Sequence, residues 1–192
     1  MYHIKCYSMY MVSDTVTRPY TTDRFAHEVL LPHGLPLEVC EGAQIYDLGC
    51  GFSDLEADLE QNGINASVTG VDFNPHVLAD QTVRKTRVIN ADLHALPLPD
   101  ESADIVIASY SLPLWDYSSD GITSFFAECV RILKTQGLLA VYPIAVRPNL
   151  LSIEPWENRQ SHALKKACEI KRSEDWLDLS QSTDCLTAIK LR

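Results

Sequence analysis

The stretch "IYDLGCGFSDLE", Ile45 to Glu56, reads as a strand that enters a glycine turn and leaves it as a helix. Gly49 and Gly51 free the backbone to turn sharply and to come close to a ligand. A dinucleotide-binding turn would place a third glycine at the position of Asp54 and rest its pyrophosphate on the helix start. Here Asp54 and Glu56 complement the positive helix end and would repel phosphate. Ser53 opens "SDLE", a Ser-x-x-Glu capping box in which Ser53 caps the helix and Glu56 reaches back. With Asp47 before the turn, the surroundings favour a cationic ligand over an anionic one.

Outward from this turn, short apolar runs alternate with helical segments. "QIYDL", "SVTGVD", "RVINAD", "DIVIASY" and "LLAVYPI" are expected strands. "SDLEADLEQNG" puts Leu55 and Leu59 on one helical face and stops at Asn62-Gly63. "NPHVLADQT" opens with Asn74 as a cap and Pro75 at the first helical position. "GITSFFAECVRILKTQG" aligns Phe125, Cys129 and Leu133. Strand and helix in alternation imply a doubly wound α/β fold, with a mostly parallel sheet covered on both faces. The expected sheet has seven strands, the last two near Glu169–Lys171 and Cys185–Leu191, after a helix around Asn158–Ala167. We read one domain over residues 1–192: an extension and possible lid at 1–43, with a helix from about Asp23 to Leu31, a binding core at 44–146, and a C-terminal helix and strands at 147–192.

The formal net charge of −10 makes nucleic acid a poor partner. Six scattered cysteines, with no Cys-x-x-Cys pair, fit buried thiols in a reducing compartment and form neither a disulfide framework nor a zinc site. The histidines are equally dispersed, so no metal is expected. The first residues do not read as a signal peptide, and no apolar run approaches the roughly 18 residues that span a bilayer. The expected setting is cytoplasmic, with no membrane partner.

Four motifs in order now resemble class I S-adenosylmethionine-dependent methyltransferases of the Rossmann-like methyltransferase fold. They are "IYDLGCGFSDL", "TGVDFNP", "INADLHALPLPDESADIVIAS" and "FFAECVRILKTQGLLAVYPI". The departures are Ser53, and Thr135-Gln136-Gly137 where the family usually has Pro-Gly-Gly. The resemblance implies S-adenosyl-L-methionine as cofactor, bound by Asp47, Gly49, Cys50, Gly51, Asp72, Phe73, Asp92, Leu93 and Ser109. Asp47 would take the methionine ammonium, and the backbone at Gly49 and Gly51 would pass beneath methionine and ribose. Asp72 would take the ribose hydroxyls, Phe73 would flank the adenine, Asp92 and the Leu93 N–H would hold its edge, and Ser109 would lie near the methyl group. The competing roles are a helix cap for Asp72, a turn for Asp92 and a plain strand end for Ser109.

An activated methyl donor asks mainly for alignment and exclusion of water, so no catalytic triad is expected and no catalytic residue is named. Tyr110, Trp115, Asp116 and Tyr117, after the fourth strand, are the candidates to line an acceptor pocket. The Asn/Asp-Pro-Pro-aromatic signature of amino methyltransferases is absent. With no appended recognition domain, the expected acceptor is a small molecule. The alternatives are a catalytically silent module acting through a protein partner, and an aminopropyl-transferase-like enzyme on the same fold.

Overall fold

The computed structural model describes residues 36–52, 54–79, 85–109, 111, 119–142, 155–180 and 185–192. After a short 3-10 turn, Leu37–Cys40, come β1 (Gln44–Leu48), α1 (Leu55–Gln61), β2 (Ser67–Asp72), α2 (Pro75–Ala79), β3 (Arg87–Asn90) and β4 (Ala103–Ser109). α3 (Ser119–Ile132), β5 (Leu133–Tyr142), α4 (Pro155–Arg172), β6 (Trp176–Asp178) and β7 (Leu186–Lys190) complete the order. The strands form one seven-stranded sheet, ordered β3-β2-β1-β4-β5-β7-β6. β1 to β5 run parallel, while β7 is antiparallel to both β5 and β6. The order reverses between β1 and β4, which is where a doubly wound sheet opens its ligand crevice.

Alternation along the strands sorts the core onto two faces. Tyr46, Leu48, Val106, Ala108, Leu139 and Val141 pack under α3 and α4, against Phe125, Phe126, Ile132, Ala163, Ala167 and Ile170. Their neighbours Ile45, Ile105, Ile107, Leu138 and Ala140 pack on the other face with Leu55 and Leu59 of α1. Asp47 therefore shares a face with Ile45 and with Ile107, its register partner on β4.

Two expectations near the C-terminus change. Glu169–Lys171 is not a strand but the end of α4, because Ala163, Ala167 and Ile170 form a buried stripe at helical spacing. Lys171 and Arg172 suit the negative end of that helix. The strand lies further on, at Trp176–Asp178. Leu133, expected on the α3 stripe, opens β5 instead.

Gln136 sits where the family usually has glycine and adopts φ +68°. The β4–β5 register slips at this point, from Ala103↔Leu133 to Ile105↔Leu138. Gly137 is constrained from another side, since a Cβ there would lie 2.7 Å from Leu133 Cδ1 and 2.9 Å from the Lys134 carbonyl. The expected helix at Asp23–Leu31 lies outside the described residues. Among the described residues no helix is long and apolar enough to cross a membrane.

Candidate functional site

At the carboxyl end of β1 the chain turns through two left-handed glycines, Gly49 at φ +78° and Gly51 at φ +54°. The N–H groups of Gly49 and Cys50 both donate to the Val71 carbonyl, at 2.7 and 3.3 Å, which pins the turn to β2. A Cβ on Gly49 would collide with Ser111 Oγ and lie 2.9 Å from Ser111 Cβ. A Cβ on Gly51 would meet nothing within 4 Å, so this glycine faces open space. One glycine is needed for the fold's own packing, and the other leaves room for a ligand. Cys50 turns inward to pack with Val77 and Val88 over Gly70, where a Cβ would stand 2.5 Å from its Sγ. The Cys50 Sγ also reaches the Gly51 carbonyl, at 3.6 Å.

Asp72 takes the capping role and adds a structural one. Its Oδ1 accepts from the Asn74 N–H at 2.8 Å, the capping role, and its Oδ2 accepts from the Gly51 N–H at 2.9 Å. The second bond locks the glycine turn. Each oxygen keeps lone-pair capacity for a further donor. Phe73, next in sequence, is 47% exposed, and Phe52 beside Gly51 is also exposed.

Asp47 is 3% exposed, with no hydrogen-bond partner among the described residues. Burial, and then the negative charge of Asp72, push its carboxyl from the ordinary 3.8 up to about 7. A buried carboxylate without a partner is costly, and a cation is the group that would relieve it. The other acids of the opening motif are spent differently. Asp54 accepts from the Lys85 and Thr86 N–H groups, and Thr86 Oγ1 accepts from the Glu56 N–H. Glu56, one arm of the expected capping box, accepts from the Val68 N–H at 2.8 Å. Ser53, the other arm, lies outside the described residues. The charge facing the crevice is thus that of Asp47 and Asp72, not the whole acidic cluster.

Beyond β3, Asp92 takes the turn role. Its Oδ1 accepts from the His94 N–H at 2.9 Å and lies 2.6 Å from His94 Nδ1. Hydrogen bonding from the His94 backbone N–H holds its carboxyl below the usual range. The second oxygen remains available for a ligand amino group. Leu93 is buried in the core. The loop continues into a fork that sequence reading missed. Arg131 grips Glu128 through Nε at 2.8 Å and Nη2 at 2.7 Å, and donates to the Leu96 and Leu98 carbonyls. Glu128 in turn accepts from the Leu96 N–H. The Glu-x-x-Arg spacing on α3 thereby anchors the loop that holds Asp92.

At the end of β4, Ser109 Oγ and Ser111 Oγ are buried with no partner among the described residues. Ser111 was not singled out from sequence, though it lies one strand period beyond Ser109. Tyr110, Trp115, Asp116 and Tyr117 lie outside the described residues.

The glycine turn, Asp47, Asp72 and Ser109 gather at the carboxyl ends of three adjacent strands; Asp92 stands at the end of the next strand out. A family model described as a methyltransferase domain matches residues 46–141, half of the chain. A Mycolicibacterium smegmatis protein named "Probable S-adenosylmethionine-dependent methyltransferase" is 31% identical over 122 residues, 60% of this chain and 42% of the relative. A trans-aconitate 2-methyltransferase of Shigella flexneri is 30% identical over 125 residues, 64% of this chain and 46% of the relative. The mouse EEF1A lysine methyltransferase 4 is 32% identical over 116 residues, 52% of this chain and 45% of the relative. The chain thus spans less than half the length of these curated relatives. The fold matches a Pyrococcus horikoshii structure with TM-score 0.55 at 18% identity, covering 79% of this chain and 83% of that one. A TehB-like S-adenosylmethionine-dependent methyltransferase from Corynebacterium glutamicum matches with TM-score 0.50 at 18% identity, covering 79% and 81%. With the methyltransferase-domain model matching half of its length, the chain belongs to the class I S-adenosylmethionine-dependent methyltransferases.

Proposed function

We propose that the chain binds S-adenosylmethionine at the β1–β2–β4 edge and transfers its methyl group to a small-molecule acceptor in a cytoplasmic setting. The observation that supports this best is Asp47, a buried carboxylate with no hydrogen-bond partner among the described residues, set beside a glycine turn whose Gly51 faces open space. Asp47 would hold the ammonium of the methionine end, and Asp72 the ribose hydroxyls, its two backbone bonds keeping it oriented. Phe73 offers an exposed ring to the adenine, and Asp92 its free oxygen to the adenine amino group.

When bound, the sulfonium supplies an electrophilic methyl carbon, and the carbon–sulfur electron pair leaves with the sulfur. What this chain adds is orientation of the donor and exclusion of water from the reacting centre. Tyr110, Trp115, Asp116 and Tyr117 remain our candidates for the acceptor side. The trans-aconitate relative supports a small acceptor, whereas the lysine methyltransferase relative favours a protein side chain. The silent-module and aminopropyl readings gain no support from the comparisons.

The test is direct. Isothermal titration should show S-adenosylmethionine binding in the micromolar to submillimolar range and no binding of NAD. Incubation with methyl-labelled cofactor should then label small carboxylic acids more than lysine-bearing proteins. NAD binding without S-adenosylmethionine binding would sink the cofactor reading, and exclusive labelling of protein would sink the small-molecule one.

A further inference from the structure

The stretch "LPLPD", Leu96 to Asp100, has a donor shortage built into its sequence. Pro97 and Pro99 carry no N–H, so no regular hydrogen-bond ladder can form along it. Leu93, Leu96 and Leu98 are buried in the core, which fixes the depth of this loop but not its angle. Arg131 supplies the missing donors. A guanidinium has five N–H groups in a rigid fork, and here all five are engaged. Two meet the Glu128 carboxylate, two meet the Leu96 and Leu98 carbonyls, and one meets Asp100 Oδ1 at 2.6 Å. Glu128 Oε2 then accepts from the Leu96 N–H at 2.6 Å, so both backbone groups of Leu96 are held by one ion pair.

The grip continues past the fork. The Glu101 and Ser102 N–H groups donate to the Arg131 and Ile132 carbonyls at 2.9 and 2.8 Å. Lys190 Nζ holds the Val130 and Leu133 carbonyls of the same helix end. Loop 96–102 and the last turn of α3 therefore form one unit. Asp92 stands four residues before the first gripped residue. Its side chain is 68% exposed and, among the described residues, bonds only to His94 in its own turn. The Ala95 N–H closes that turn on the Asp92 carbonyl at 3.1 Å, and the chain runs straight on into Leu96. On the other side the Ala91 N–H donates to the Asp72 carbonyl at 3.1 Å. One exposed turn is thus strung between two anchors, the end of β2 and the Arg131–Glu128 pair, and together they set the direction of the free Asp92 oxygen.

We propose that Arg131, with Glu128, is a positioning residue for purine selection: it aims Asp92 so that the site takes a base with an exocyclic amino group and rejects one with a carbonyl there. This rests on the reading above, in which Asp92 receives the adenine amino group. An aimed carboxylate accepts from an amino group and repels a carbonyl oxygen, so it separates the two purines. A carboxylate free to swing turns to water instead, and the distinction fades. Lysine cannot replace Arg131 in this task, because an ammonium has three donors and no fork.

The experiment titrates S-adenosylhomocysteine and S-inosylhomocysteine, which differ in that amino group, against the wild type, Arg131→Lys, Asp92→Ala and the double variant. The wild type should prefer the amino ligand by about tenfold, the usual effect of a hydrogen bond to a charged group. In Arg131→Lys the amino ligand should weaken toward the other, which should hardly move, so the preference falls toward one. The double variant should bind no more weakly than Asp92→Ala alone, because the arginine acts through that carboxylate. Glu128→Gln keeps an acceptor for the Leu96 N–H and removes the charge; it should lose part of the preference and serves if Arg131→Lys does not fold. Equal weakening of both ligands would overturn the proposal by showing that the fork only supports the fold. A full preference surviving in a folded Arg131→Lys variant would overturn it too, as would losses that simply add in the double variant. A wild type that binds both ligands alike would sink the Asp92 reading itself, a result distinct from these.

Discussion

The two wings of the sheet are built by different means. On the β5–β7–β6 side, α3 and α4 run for 14 and 18 residues and bury Phe125, Phe126, Cys129, Ile132, Ala163 and Ala167. On the β1–β2–β3 side, α1 has only 7 residues. There the chain is tied by side chains bonded to distant backbone: Asp54 to Lys85 and Thr86, Glu56 to Val68, Asp72 to Gly51. Apolar burial is non-directional and tolerates small shifts, whereas these hydrogen bonds fix angles. The wing that must present a turn to a ligand is held by geometry, and the wing that supplies stability is held by area.

Cutting the apolar wing should produce the largest effect. Phe125→Ala should cost about 3–5 kcal/mol of unfolding free energy, measured by chemical denaturation. It should leave cofactor affinity nearly intact in whatever remains folded; a large affinity loss would show that the wings are not separable. Next comes Asp72→Ala, which should cost roughly 1.5–3 kcal/mol of cofactor binding by titration, with less effect on stability. Unchanged affinity would reduce Asp72 to its capping bond.

Acidity offers a finer probe of the same wing. Asp47 must be ionised to take an ammonium, and in the free protein its carboxyl is raised to about 7. Binding should therefore strengthen as pH rises toward 7, by up to about tenfold per unit, and level off above it. The sign for stability is opposite. A raised carboxyl favours the folded state only while protonated, so its contribution is full below 3.8 and is lost as pH rises through 7. Asp47→Asn should remove both slopes, and a persistent binding slope in that variant would point to another group.

The smallest effect belongs to Gln136. Replacing it with glycine should stabilise the protein by about 1 kcal/mol, because its φ of +68° costs a side chain and not glycine. Cofactor affinity should not move. A loss of stability would mean that the Gln136 side chain has a use the backbone angle does not reveal.

Legibility in the sequence followed how local each decision was. β1 and β2 were readable to the residue, since their apolar runs and flanking turn signals are self-contained. Gly49, Gly51 and Asp72 were readable because one strand–turn–helix unit and its neighbour bring them together. Glu169–Lys171 went wrong because its own residues suit either state; the stripe of Ala163, Ala167 and Ile170 decides it by packing on the sheet. Ser111 escaped notice because its meaning arises only when β4 lies beside β1. The Arg131–Glu128 fork escaped notice because its target carbonyls, at Leu96 and Leu98, lie on a loop more than 30 residues away in sequence.

The position of β7 has a consequence in time. Among the described strands it is the last in sequence, yet it lies inside the sheet between β5 and β6 and places Lys190 Nζ on the carbonyls of Val130 and Leu133. While the ribosome adds the residues from Tyr142 to Leu186, the outer edge of β5 lacks β7, the strand that covers it. At synthesis rates of about 5–20 residues per second that interval lasts several seconds. During it the nascent chain displays "LLAVY" as an open template for any extended neighbour. Translation arrested before Leu186 should therefore yield chaperone-bound or aggregated product. A soluble monomer from such an arrest would show that something else shields that edge.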